Sequence, residues 1–225
     1  MQSSEAPDSR PRAERVPSNR DVDWVRRPTV AELAEFDGAW TRRFGGTPLR
    51  AIDLRYVDRS KWVRLHSLPE SKRYAESEAE YMELLRRYFA ILDELRGNEQ
   101  ILTVVTCSFS FSRSQRPVRR NSVLAGLLPR PRYWRSVSEG EDEHEEQAWV
   151  HLYVHRVHRE APALRELFRA AADERAVDVI VTGSEVTWVL HPYDGGSDLI
   201  LPTPVERDRV SELFVDWRSP WDHGL

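Results

Sequence analysis

Little in this chain lends itself to covalent cross-linking or to spanning a bilayer. Its 225 residues include one cysteine, Cys107, which excludes an internal disulfide and makes a reducing, cytoplasmic setting the expectation. No run approaches the roughly eighteen consecutive apolar residues of a membrane-spanning helix. Residues 1–27 are charged and proline-dotted with no apolar stretch, so no secretory signal is expected there. Lysine is nearly absent: Lys61 and Lys72 are the two among 33 basic residues, a bias that the base composition of a GC-rich genome explains. A net charge of −4 supplies no global field for nucleic acid or an anionic membrane. Signatures of chemistry are missing as well. No HExxH, Cys-x-x-Cys, EF-hand loop, Gly-x-Ser-x-Gly elbow, P-loop or dinucleotide fingerprint occurs. The chain therefore leans toward a non-enzymatic reading, with an enzyme or binder of a small anionic ligand as the alternative, and with no cofactor and no metal.

What is present suits one sizeable core, with 40% hydrophobic and 31% charged residues. Residues 1–27 predict a disordered tail, because they bury too little to offset ordering entropy. A single domain should then fill 28–225. Thr29-Val-Ala-Glu32 has the form of a capping box, opening a helix with Leu33, Phe36 and Trp40 on one face. Residues 50–56 and 62–68 read as two strands joined by a turn at 58–60. Ser67-Leu-Pro-Glu70 reads as a second capping box, opening a long helix over 71–95 that Gly97 stops. The β-branched run 101–109 predicts a buried strand. Residues 110–147 show no sustained period, and read as an irregular, partly mobile insertion with a short helix near 122–128.

Beyond it come a strand over 148–157 and a helix over 162–174 with Leu164, Leu167, Phe168 and Ala171 inward. Residues 177–182 and 186–190 follow as a hairpin about Gly183-Ser-Glu185, and Gly195-Gly196 turns the chain into 199–201. Thr203-Pro-Val-Glu206 reads as a third capping box, opening the last helix with proline at its first position. Helices and strands mix without strict βαβ alternation, which predicts an α+β fold: a mixed, mostly antiparallel sheet layered with helices.

Two stretches carry a resemblance: Trp62-Val-Arg-Leu-His-Ser-Leu-Pro-Glu-Ser-Lys-Arg-Tyr-Ala75 and Trp188-Val-Leu-His-Pro-Tyr-Asp-Gly-Gly-Ser-Asp-Leu-Ile-Leu-Pro202. Both resemble the most distinctive segments of an uncharacterised bacterial protein family of unknown function. The likeness covers roughly residues 45–225, least in the central insertion. The ending Asp216-Trp-Arg-Ser-Pro-Trp-Asp-His-Gly-Leu225 departs from the family pattern, in which a shorter serine-rich turn precedes the final Gly-Leu. The resemblance implies a bacterial, cytoplasmic protein and supplies neither activity nor catalytic residues.

The same stretches concentrate Arg64, His66, Lys72, Arg73, His191, Tyr193, Asp194 and Asp198 at strand ends and turns, where binding residues favour a rigid scaffold. If they meet, Arg64, Arg73 and His191 offer donors to a small anionic ligand, with His66, Tyr193 and Asp194 beside them. The same residues also serve structure, as turn and pairing groups. His151-x-x-x-His155-x-x-His158 has a metal-compatible spacing on a helix. On the strand that Val150, Leu152, Tyr153, Val154 and Val157 favour, His151 and His155 stand about 13 Å apart and His158 faces away. That leaves a half-exposed, histidine-rich strand. Cys107 reads as a buried structural thiol. Arg113 to Arg135, with Tyr133 and Trp134, has the composition of a nucleic-acid contact, but the acidic run 139–146 next to it neutralises it locally. Many tryptophans, a long charged insertion and no catalytic motif favour a protein partner, with a toxin-neutralising role as one concrete form.

Overall fold

The computed structural model describes residues 24–45, 50–111, 116–139 and 148–218. Eight strands form one sheet, and every strand pairing described is antiparallel. They are β1 (Val25–Arg26), β2 (Trp62–His66), β3 (Ile101–Phe111), β4 (Arg132–Glu139), β5 (Ala148–His158), β6 (Ile180–Thr182), β7 (Val189–Tyr193) and β8 (Gly196–Ile200). Their order is β1-β5-β3-β6-β7-β8-β2, and β4 also pairs with β5. The helices are α1 (Val30–Phe44), α2 (Leu54–Val57), α3 (Glu78–Arg96), α4 (Ser122–Leu127), α5 (Pro162–Ala172) and α6 (Pro204–Leu213).

Side chains alternate across the strands, so each face of the sheet builds its own core. Val63, Leu65, Leu102, Val104, Leu190 and Leu199 pack against α3, α5 and residues of α4 and α6. Val105, Cys107, Leu152, Ile180, Val189 and Ile200 pack against α1 and against Ala51 and Leu54. The result is the expected α+β architecture, a sheet between two helical layers. On α5, Leu164, Leu167, Phe168 and Ala171 are buried, the inward face that the periodicity predicts.

The box at Thr29 forms in full, whereas at Thr203 only the side-chain half of the box forms, the Glu206 carboxylate pairing with Arg209 instead. Thr29 Oγ1 accepts the Glu32 N–H at 3.1 Å while Glu32 accepts the Thr29 N–H at 2.8 Å. Thr203 Oγ1 accepts the Glu206 N–H at 3.1 Å, with Pro204 first in α6. Gly97 ends α3 at φ 54.

Several elements differ from the sequence reading. Trp24–Arg26 belongs to the fold, not to the tail: β1 pairs with the end of β5, and the His158 N–H donates to the Trp24 carbonyl at 2.8 Å. Residues 1–23 lie outside the described residues. Residues 51–57 are helical rather than extended. Ile52 and Tyr56, four apart, point outward, whereas Ala51 and Leu54, three apart, are buried at 1% exposure each. Residues 58–60 therefore join no hairpin, and β2 pairs with β8 instead.

The helix predicted from 71 begins at Glu78. Pro69–Ser71 forms a 3-10 turn with Glu70 and Ser71 at φ 57 and 58, and the working cap is Ser77, whose Oγ accepts the Glu80 N–H at 3.3 Å. Ser67 is engaged elsewhere, its N–H donating to the Gly195 carbonyl at 3.2 Å. The insertion is more regular than its composition suggests. β3 continues to Phe111, α4 caps on Asn121, and β4 pairs with β5 across a bulge between Tyr133 and Arg135. Residues 112–115 and 140–147 lie outside the described residues.

Candidate functional site

The two distinctive stretches meet in space. Strand β8 runs between β7 and β2, which places Arg64 opposite Asp198, Asp198 opposite His191, and His66 opposite Gly196. Close approach depends on glycine: a Cβ on Gly196 would lie 2.3 Å from the Leu65 carbonyl oxygen. Helix α3 fastens the turn from below. The Tyr88 hydroxyl, fully buried, sits 2.6 Å from the Tyr193 carbonyl and 2.9 Å from that of Gly196. Arg87 reaches the His66 carbonyl at 3.1 Å and also pairs with Glu83 at 2.7 Å.

Arg64 makes a two-pronged bond to Asp198, Nε to Oδ1 at 2.8 Å and Nη2 to Oδ2 at 3.0 Å. The Tyr193 hydroxyl donates to the same Oδ1 at 3.2 Å. The guanidinium lies 5.3 Å from the Trp62 ring and 5.4 Å from the Tyr193 ring, so it is held by charge and by two aromatic faces. Burial, with Asp198 close by, pushes the Tyr193 hydroxyl well above its ordinary range.

His191 is buried, and its Nδ1 lies 2.9 Å from the Val179 carbonyl. A carbonyl only accepts, so Nδ1 carries the proton and Nε2 a lone pair. Burial pulls the imidazole below its usual value, against the Val179 bond, which keeps the ring neutral. His66 is half-buried and is also lowered by burial, opposed by a bond to Gly195; its Nε2 has no partner. Arg73 pairs with Asp194 and lies 3.5 Å from Glu174. Lys72 pairs with Glu76 at 2.9 Å and Glu80 at 2.6 Å, away from the hairpin.

His191, Tyr193 and Asp194 share a cavity of about 470 Å³ at this end of the sheet, while Arg64, His66 and Arg73 are not among its lining residues. Sequence reasoning missed Arg50, Phe109 and Asp178, which line it too. Asp178 accepts from Arg50 Nε at 3.0 Å and from the Ile52 N–H at 3.4 Å. One signal was present: Asp178 interrupts the apolar run around it and sits at φ 52. A roomier cavity of about 570 Å³ between α3 and α5 holds none of these residues, and its Arg96 and Arg159 are paired with Asp93 and Glu160.

The remaining candidates have structural roles. His151 and His155 are fully buried, not half-exposed: Ser110 and Ser136 on the flanking strands close on His151, and Arg120, in the segment before α4, closes on His155. His151 bonds Ser110 at 2.8 Å and Ser136 at 2.5 Å, His155 bonds Thr106 at 3.2 Å, and His158 stacks edgewise on Trp24. Among the described residues no group of three His, Cys, Asp or Glu side chains is placed to hold a metal. Burial drives the Cys107 thiol far up, so it stays protonated. Trp134 is no open stacking platform. It packs 4.9 Å from Phe36 and 5.3 Å from Trp40, and its Nε1 donates to Asp37 at 2.7 Å.

Fold and site together define an α+β domain with an antiparallel sheet between two helical layers, closed at one end by buried polar pairing. The chain belongs to the DUF3885 family, a domain of unknown function, whose profile matches residues 51–222. No curated protein and no solved structure matches it. Among the described residues no helix is long and apolar enough to cross a membrane.

Proposed function

We propose that this is a non-enzymatic interaction module of the bacterial cytoplasm whose protein partner docks over the cavity end of the sheet. The observation that carries this reading is the apolar rim around the cavity. Ile52, Phe109 and Val177 line it yet keep 40%, 40% and 45% of their surface exposed. Phe111, one alternation further along β3, is 73% exposed. Grouped apolar side chains at the surface mark docking sites more often than isolated ones do. A small anionic ligand is the weaker reading, since the Arg64 fork is closed on Asp198 and Arg73 is paired with Asp194. The overall acidity, −4, suits a toxin-neutralising form of the interaction.

A photo-crosslinking side chain at Phe109 tests the reading in the native bacterium, with the same group at Val205 as control. Val205 is 74% exposed on α6, the helix that packs against the opposite face. A single salt-resistant protein adduct at 109 and none at 205, lost on Val177→Glu, is the expected result. Equal adducts at both positions, or none at 109, would overturn it.

A further inference from the structure

The cavity has a charge and an acceptor pattern of its own. Three carboxylates line it, from Glu174, Asp178 and Asp194, against one cation, Arg50. Asp178 is tied to Arg50 and Asp194 to Arg73, whereas Glu174 has the looser contact, 3.5 Å from Arg73 with a side chain 55% exposed. His191 supplies an independent observation. It lines the cavity at 6% exposure, its Nδ1–H is taken by Val179, and its Nε2 has no hydrogen bond among the described residues. That is an accessible acceptor without a donor from the described residues, and in the cavity it suits a group that brings an N–H.

The surroundings show which N–H group they suit. Around this end of the sheet a guanidinium lies over a ring and meets a carboxylate three times. Arg50 stands 5.8 Å from the Phe109 ring while paired with Asp178, Arg73 5.1 Å from Tyr74 while paired with Asp194, and Arg64 5.4 Å from Tyr193 while paired with Asp198. We propose that the cavity receives the guanidinium of an arginine side chain presented by the protein partner, with Glu174 meeting its charge and His191 Nε2 accepting one of its N–H groups. This deepens the interaction reading and rests on it. Arginine fits better than lysine because its planar fork stacks on rings and is weakly hydrated, whereas an ammonium is a compact, strongly hydrated charge. A volume of about 470 Å³ lies within the range of small-ligand pockets and leaves room for the stem.

The test is a titration of the full chain with N-propylguanidinium, followed through the ring-nitrogen resonances of His191, beside propionate and n-butylammonium. The proposal expects a saturable shift of Nε2 with the guanidinium, a weaker one with the ammonium and none with propionate. Glu174→Gln, at an exposed position that leaves the fold intact, should weaken the guanidinium about two- to fivefold, the effect of one partly exposed charge. His191→Phe should weaken it further while the fold stays intact by circular dichroism. No saturable shift, an equal response to propionate, or affinity unchanged in Glu174→Gln would overturn it. The two readings fail separately. A Phe109 adduct without guanidinium binding removes the cavity's role and keeps the partner. Guanidinium binding without an adduct keeps the cavity's chemistry and removes the interaction.

Discussion

The guanidinium of Arg120 lies 3.2 Å from Nε2 of His155, and both side chains are buried. No carboxylate pairs with Arg120 among the described residues; it donates instead to the Leu124 and Leu128 carbonyls at 3.3 and 2.8 Å. The histidine must stay neutral to accept from a cation.

That requirement predicts a pH dependence. Burial first, then Arg120, pushes the His155 pKa down to about 3. A lowered histidine contributes stability in full above its unfolded value of about 6.5, and loses it as pH falls toward 3, because the unfolded chain takes up the proton first. Urea midpoints between pH 7.5 and 4 should decline in the native chain. His151 and His191, also lowered by burial, add to that decline. The readout is therefore the difference from His155→Gln, whose slope should be shallower by at most about 1.4 kcal/mol per pH unit. Identical slopes would show that His155 takes up its proton as readily in the folded chain as in the unfolded one.

The bond between Arg64 and Asp198 makes a second prediction. Their side chains are 12% and 4% exposed, so removing one partner strands a buried charge. Asp198→Ala should cost about 3–5 kcal/mol in chemical denaturation, whereas the double change Arg64→Met with Asp198→Leu should recover much of it. If the double variant is as unstable as the single, the aromatic stacking on Trp62 and Tyr193 matters more than charge.

Two glycines should respond in opposite directions. Gly196→Ala places a methyl 2.3 Å from the Leu65 carbonyl oxygen and should displace β2, a change readable as lost amide-exchange protection over Trp62–His66. Gly126 lies in α4 with nothing within 4 Å of an added Cβ. Gly126→Ala should stabilise by about 0.5–1 kcal/mol through helix propensity alone.

These positions also show where the sequence was legible. Thr29, Thr203 and Gly97 act on backbone within four residues of themselves, so local chemistry found them. The long strands β3 and β5 were visible because a two-faced core demands continuous apolar, β-branched runs. Ser67-Leu-Pro-Glu70 has the letters of a cap, but the Ser67 N–H is bonded to Gly195, distant in sequence, while the plainer Ser77 does the capping. Strand β4 escaped notice because its bulge breaks the alternation at Trp134.

The site divides in the same way. His191, Tyr193 and Asp194 stand out as a polar cluster at a turn, and the antiparallel register that sets Arg64 against Asp198 is a long-range fact, 134 residues apart. Arg50 reaches Asp178 across 128 residues, and neither belongs to a motif. The burial of Ala51 and Leu54 in one core with Ile180, Val189 and Ile200 brings Arg50 to the cavity that His191 lines.

The Tyr88 hydroxyl, shared between two carbonyls of the β7–β8 turn, has a mechanical consequence. It pins the hairpin tip to the longest helix among the described residues, so the tip cannot hinge without shifting α3 and the core beneath it. A visitor at that end meets a seat already set and loses little freedom in settling there. For a partner of the kind proposed, selectivity would then rest on how well the incoming shape matches.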